Sequence, residues 1–271
     1  MKKIGVAGTG NMGRAIVEGL LASGKADPSA LAVYDKDPRR VEELVEQWGI
    51  TAATGNGALA ACSDVVVVAV KPADVPSVLR EMAPCLGEGT VVVSVAAGVG
   101  TDAVSRGLGG WPKVARAMPN TPALVGAGAT ALYFTPQLQA EEREFVLGMF
   151  SAVGIAVEVE REELLDAVTA LSGSGPAFVA LFVEALADGG VRAGLTRQLA
   201  LELAVQTVYG AALLLKQREL HPAVLKDMVS SPAGTTIEGL AALEAGAFRG
   251  SVVEAVRAAF SRSRKLASGE A

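Results

Sequence analysis

The opening of the chain restricts its architecture more than any other feature. Lys3–Ala7 is a short, almost wholly apolar run, Gly8–Gly13 reads GTGNMG, and Met12–Ala22 carries helical periodicity. GxGxxG alone is weak, because glycines recur by chance; a strand before it and a helix after it give the spacing meaning. Gly8 allows a tight turn, Gly10 lets the backbone approach a pyrophosphate, and Gly13 lets helix and strand pack closely. The helix N-terminus then presents N–H groups to phosphate. Thr9, Asn11 and Met12 fall in the same cradle.

Leu31–Tyr34, Val65–Ala69 and Val91–Val95 continue the pattern as apolar runs expected to be buried parallel strands. Helical patterns over Arg39–Trp48, Gly57–Ala61 and Val75–Cys85 lie between them, and weaker strands follow at Lys113–Ala117, Ala129–Phe134 and Ile155–Val159. A βαβα succession implies an α/β, doubly wound sheet. From Glu162 onward no strand is expected. Pro176 opens a helix that Gly189-Gly190 closes, Thr196 starts another running to about Arg218, and Pro222 opens a short third. Thr235 with Glu238, and Ser251 with Glu254, have capping-box spacing, so each pair is expected to begin a helix. Residues 1–161 are therefore read as a dinucleotide-binding domain and 162–271 as an all-helical domain. A length of 271 residues, at roughly 150 residues per domain, fits one large or two small domains.

Composition narrows the partners. A net charge of −5 attracts no polyanion, so no nucleic acid is expected. Arg262, Arg264 and Lys265 complement a helix dipole. Two cysteines and one histidine supply no metal spacing, so no metal is expected, and they fit a reducing cytoplasm. The mean hydropathy of +0.39 is high. The uncharged stretch 167–183 contains Ser172, Gly173, Ser174, Gly175 and Pro176 and falls short of the roughly 20 apolar residues of a spanning helix. The apolar excess is therefore read as a helix–helix interface and a sign of oligomerisation, not as a membrane segment.

Candidate ligand residues gather at the ends of the strands, where such folds bind ligands. Asp35 stands where an acid hydrogen-bonds the ribose 2′-hydroxyl of NAD, while Lys36, Arg39 and Arg40 could pair with the 2′-phosphate of NADP. The two cues conflict, and both NADH and NADPH stay open. Ala69, Val70, Lys71 and Pro72 end one strand and Ala97 follows another. Asn56 caps the helix at Gly57 or touches the adenosine half. SSPAGTTIEGL, residues 230–240, is a small-residue loop entering a helix. Free N–H groups at Gly234, Thr235 and Thr236 would receive a carboxylate. With Thr235 as N-cap, Thr236 and Ser231 keep spare hydroxyls. His221, just before Pro222, is a helix-entry residue, and the second domain's loops offer no obvious proton donor for a developing alkoxide. A protonated imine already carries the charge that accepts hydride and needs only a carboxylate clamp and one hydrogen bond at nitrogen.

These residues carry a resemblance. GTGNMGRAI, VVVAVKP, VVVSVAAGV, RAMPNTPALVGAGAT, DAVTALSGSGPAFV with EALADGGV, HPAVLKDMVSSPAGTTIEGL and FRGSVVEAV occur in order over essentially the whole chain. They resemble the pyrroline-5-carboxylate reductase family, which makes L-proline from the cyclic imine 1-pyrroline-5-carboxylate. The resemblance implies a Rossmann-type domain followed by a helical dimerisation domain, and a homodimer that in many members assembles into rings. It implies cofactor on the glycine loop, on the residues after the second strand and on AVKP, with MPNTP, hence Asn120 and Thr121, near the nicotinamide. It places the substrate carboxylate on SSPAGTT, the ring nitrogen at Thr236, and Glu162 and Asp166 along the cleft. Many members have a neutral or hydroxyl residue where Asp35 stands. Ala233 replaces a commoner glycine, a mild change unless that residue needs positive φ. A β-hydroxyacid dehydrogenase on the same fold would carry a lysine after SGSGP, where this chain has Ala177, Phe178 and Val179. A sensor without catalysis would have no use for a carboxylate receptor beside a free hydroxyl.

Overall fold

The computed structural model describes residues 2–268. Their backbone divides into two compact units, residues 2–174 with 259–268, and Gly175–Ala258.

In the first unit β1 (Ile4–Ala7), α1 (Asn11–Ala22), β2 (Leu31–Tyr34), α2 (Pro38–Trp48), β3 (Thr51–Ala52), α3 (Asn56–Ala61), β4 (Val65–Val68), α4 (Val75–Met82), β5 (Val91–Ser94), α5 (Thr101–Gly107), β6 (Val114–Met118), β7 (Gly128–Phe134), α6 (Ala140–Phe150) and β8 (Gly154–Glu158) follow in order. The strands form one sheet in the order β3-β2-β1-β4-β5-β6-β7-β8. Only β6 and β7 run antiparallel. Strands are added outward on one side of β1 through β2 and β3 and then on the other through β4 and β5, and that change of side is the doubly wound switch point.

The valine runs explain why these strands sit centrally. Side chains alternate across a sheet, so Val65 and Val67 enter the core on one face, with Ile16, Leu20 and Phe150. Val66 and Val68 enter the other, with Leu59, Leu79 and Met82. All four are at most 1% exposed, and each such side chain contributes about 1.5–3 kcal/mol by leaving water.

Three elements were not expected. β3 has two residues, too few for a periodicity. α6 is announced by Gln139 and Glu142, which form a reciprocal capping box that an unusual cap residue disguises. α5 begins at Gly100 without a side-chain cap from its own turn. The expected helix Val75–Cys85 is α4 followed by a tighter turn over Ala83–Cys85.

α7 (Leu164–Val168) follows, then a wide turn over Thr169–Gly173. There Ser174 N–H donates to Thr169 O at 2.9 Å, five residues back. The hydroxyls of Ser172 and Ser174 fold back on the carbonyls of Val168 and Thr169. The Ser-Gly-Ser-Gly-Pro segment therefore does not end the helical run. This overturns the length argument made from sequence. Leu164–Arg192 and Arg197–Arg218 are both long and apolar enough, by length and composition, to cross a membrane.

The second unit contains α8 (Gly175–Arg192), α9 (Arg197–Arg218), α10 (Pro222–Met228), α11 (Thr235–Ala245) and the first turns of α12 (Phe248–Ser268). Gly189 and Gly190 lie inside α8 and do not close it. Gly190 faces α9, where an added Cβ would stand 3.0 Å from Ala200 Cβ, so the glycine serves close helix packing. The chain turns instead at Gly194, φ +104°. Thr196 caps α9, its hydroxyl accepting from Leu199 N–H at 3.3 Å. His221 Nδ1 accepts from Ala223 N–H and so caps α10, as read from sequence. Ser251 does not begin a helix: α12 starts at Phe248, and the Ser251 hydroxyl bonds back to Ala247 O. Large apolar side chains remain outside on this unit, among them Leu181, Tyr209, Met228 and Val253, each at least 60% exposed.

Candidate active site

The glycine loop is shaped as its spacing requires. Gly8 has φ +93°, and a Cβ there would lie 2.7 Å from Ala69 O. A Cβ on Gly13 would lie 1.9 Å from Gly8 O, so only glycine lets α1 start this close to β1. Gly10 differs: its Cβ would meet nothing nearer than Arg40 Nη1 at 3.6 Å. Gly10 is the N-cap of α1 and has no side chain to satisfy the first N–H groups, those of Asn11, Met12 and Gly13. A cradle closed on its inner side and open above free N–H donors fits a pyrophosphate.

Other expected cofactor residues converge on the same sheet edge. Ala69 N–H donates to Ala7 O at 2.7 Å, and Val70 packs over Gly8, so Ala69 and Val70 wall the glycine loop. Lys71 and Pro72 continue into a short turn, with Lys71 exposed. Ala97 is exposed in the turn after β5. Asn120 follows β6. Its amide donates to Ser172 O at 3.0 Å and accepts from Ala129 N–H at 2.8 Å, which fixes the turn carrying exposed Thr121.

The residues after β2 form a charged lattice. Asp35 is turned onto the glycine loop: Oδ2 accepts from Thr9 N–H at 2.7 Å and from the Thr9 hydroxyl at 3.2 Å, and Oδ1 accepts from Asp37 N–H at 2.9 Å. Lys36 pairs with Asp74 at 3.0 Å, Arg39 with Asp37 at 3.2 Å, and Arg40 with Asp37 at 3.7 Å and Asp35 at 4.0 Å. The Arg39 guanidinium holds the Asp37 carboxyl below its ordinary value against a smaller opposing effect of desolvation.

Asn56 is a correction. Gly55, not Asn56, is the N-cap of α3, and the buried Asn56 amide donates to Glu81 Oε2 at 2.8 Å on α4. It does not cap α3, because α4 offers its amide a carboxylate. Glu162 is also committed. Oε1 accepts from Thr101 N–H at 2.8 Å and from Arg116 at 3.2 Å, and Oε2 accepts from the Thr101 hydroxyl. It supplies the cap that α5 lacks and neutralises Arg116, which is 6% exposed on β6. Asp166 is buried and accepts from the Ser263 hydroxyl at 2.8 Å.

The loop expected to receive a carboxylate belongs to the second unit. Gly234 N–H donates to Ser231 O at 3.1 Å, closing a turn with Pro232 second and Ala233, φ +54°, third. Three expectations change. Ala233 does need positive φ, so alanine is not a mild replacement there. Gly234, not Thr235, is the N-cap, and Thr235 with Glu238 is no capping box, because the turn starts α11 one residue earlier. Gly234 N–H is used by the turn, so the open donors are those of Thr235 and Thr236. The glycine cap leaves both threonine hydroxyls uncommitted, and that of half-buried Thr236 has no partner among the described residues. A Cβ on Gly234 would stand 2.2 Å from Ser231 Oγ, which puts the Ser231 hydroxyl over the start of α11. Among the described residues no group of three or more His, Cys, Asp or Glu could hold a metal ion. An open cleft of about 830 Å³ lined by Lys3, Asp64 and Thr90 lies at the amino ends of the strands, opposite the glycine loop.

A doubly wound sheet with this cradle defines a dinucleotide-dependent oxidoreductase. Residues 3–98 match the model described as NADP oxidoreductase, coenzyme F420-dependent. Residues 162–266 match the model described as pyrroline-5-carboxylate reductase dimerisation, which supports an oligomer. The pyrroline-5-carboxylate reductase of Escherichia coli K12 is 44% identical over 265 residues, 98% of both chains. That of Arabidopsis thaliana is 42% identical over 97% of this chain and 95% of its own. A solved reductase structure from Coxiella burnetii superposes with a TM-score of 0.94, at 36% identity and 98% coverage of both chains. One from Plasmodium falciparum with NADP bound gives 0.85, at 32% identity and 98% of both. The chain belongs to the pyrroline-5-carboxylate reductase family.

Proposed function

We propose that this chain reduces the C=N bond of 1-pyrroline-5-carboxylate to give L-proline, the last step of proline biosynthesis, with NADH or NADPH. The observation that carries this is the start of α11: open N–H donors at Thr235 and Thr236, the Ser231 hydroxyl above them, and a Thr236 hydroxyl with no partner. A carboxylate fits the donors and the positive end of the helix dipole. Thr236 is assigned the hydrogen bond that orients the ring nitrogen. Gly8–Gly13 hold the pyrophosphate, Ala69–Pro72 and Ala97 line the dinucleotide, Asp35 and Lys36 face the adenosine ribose, and Asn120 with Thr121 shape the nicotinamide end. Bound reduced dinucleotide supplies the hydride. The chain's own contribution is to hold the two reactants in register and to fix the imine nitrogen. Glu162 holds α5 in place and is not assigned a substrate contact.

The exposed apolar faces of α8, α9 and α12 fit a homodimer through the helical domain, with dimers able to assemble further, in the cytoplasm and without membrane or nucleic acid. The test is dinucleotide oxidation followed by absorbance with 1-pyrroline-5-carboxylate. Turnover is expected in the wild type and a loss of at least tenfold in kcat/KM in Thr236→Val. No turnover despite dinucleotide binding would refute the assignment, and an unchanged Thr236→Val would refute the role of that hydroxyl.

A further inference from the structure

We infer that this chain selects NADH over NADPH, with Asp35 as the discriminating residue and Asp74 as its accessory. This rests on the dinucleotide reading above and settles the conflict between the acidic and basic residues after β2. At that end of the second strand a doubly wound fold meets the adenosine ribose. NADPH brings a 2′-phosphate there, and NADH a 2′-hydroxyl.

The basic residues are already matched. Lys36 is held by Asp74 at 3.0 Å, Arg39 by Asp37 at 3.2 Å, and Arg40 lies between Asp37 and Asp35 at 3.7 and 4.0 Å. Three cations face three carboxylates, so no positive charge is left over for a phosphate. Exposed pairs of this kind are weak and exchangeable taken singly, so the decisive group is the one that cannot move. That group is Asp35. Its side chain is 9% exposed, and three hydrogen bonds, from Thr9 N–H, the Thr9 hydroxyl and Asp37 N–H, tie it to the glycine loop and to the turn before α2. Rotating it away would open the cradle itself. A 2′-phosphate would therefore meet a fixed negative charge.

A hydroxyl meets something different. A carboxylate offers about four lone-pair sites, and the three bonds named here use two on Oδ2 and one on Oδ1. Oδ1 keeps one for a ribose hydroxyl donor. The same geometry that repels phosphate thus accepts a hydroxyl.

Dissociation constants measured directly, by quenching of protein fluorescence on titration with NADH and NADPH and without imine substrate, test this. NADH is expected to bind at least tenfold more tightly. Asp35→Asn removes the charge and should shrink the ratio at least tenfold. Asp74→Asn frees Lys36 without touching the glycine loop, and should tighten NADPH several-fold while leaving NADH unchanged; it carries the test if Asp35→Asn fails to fold. NADPH binding as tightly as NADH in the wild type would overturn the inference. So would a ratio that neither substitution moves. Binding of neither dinucleotide would overturn both this inference and the reductase assignment, a result distinct from equal binding.

Discussion

Replacing Glu162 by glutamine should destabilise the first unit through a residue 46 positions away. Arg116 is 6% exposed on β6, and its guanidinium lies 3.2 Å from Glu162 Oε1. At that distance the attraction is about 5 kcal/mol at an effective dielectric constant of about 20. Glutamine preserves shape and can still accept from Thr101 N–H, so the perturbation is almost purely the lost charge. A buried cation left without its counter-ion costs about 3–5 kcal/mol, and the 21% exposure of Glu162 argues for the lower figure. A loss of about 3 kcal/mol lowers Tm by about 6–12 °C in a chain of this size. The assay is thermal unfolding by circular dichroism at fixed protein concentration, because subunit association contributes to apparent stability. Arg116→Met combined with Glu162→Gln should recover at least half the loss, since neither charge then remains. A Tm within about 2 °C of wild type for Glu162→Gln would refute the claim that this pair, and not packing alone, holds α5 to β6.

Gly13→Ala should weaken dinucleotide binding at least tenfold by fluorescence titration, because its Cβ would stand 1.9 Å from Gly8 O. Gly55→Ala, whose Cβ meets nothing within 4 Å, is the control and should bind normally. Glu219→Gly should stabilise the chain by about 0.5–1 kcal/mol in urea denaturation, since Glu219 ends α9 at φ +50° with its charge at the negative end of the helix dipole. For Glu142, burial raises the carboxyl, but the Lys113 ammonium at 2.6 Å and Gln139 N–H together bring it below its ordinary value. Because the folded value lies below the unfolded one, the stabilisation is present above the ordinary carboxylate range and is lost as pH falls through it. Lys113→Met should flatten that part of the stability–pH profile, and an unchanged profile would show that the pair contributes nothing.

The succession of a doubly wound sheet and then helices, seven of the eight strands and the spacing of the glycine cradle were legible because apolar runs and glycine spacing are local in the chain. Four consecutive valines read as a strand covered on both faces, and Gly13 sits where a Cβ would collide with Gly8 O five residues earlier; Gly8 instead meets Ala69, which only the neighbouring strand brings there. The loop at residues 230–236 was legible as a turn entering a helix but not in detail. Pro232 and Ala233 moved the start of α11 to Gly234, freed the Thr235 hydroxyl and consumed the Gly234 N–H.

What only tertiary structure decided were the partnerships of polar side chains across long separations. Nothing local says that Asp35 is tied to Thr9, or that Lys36 is paired with Asp74, 38 residues away. Glu162 caps a helix 61 residues earlier, and Asn56 finds Glu81 instead of its own turn. Gly190 reads as a helix end until α9 packs against it. The physical reason is common to all of them. Backbone conformation and apolar periodicity are properties of neighbouring residues, whereas a carboxylate or amide bonds to whichever donor the stacked elements bring within about 3 Å, and that is set only when the whole sheet and its helices have assembled.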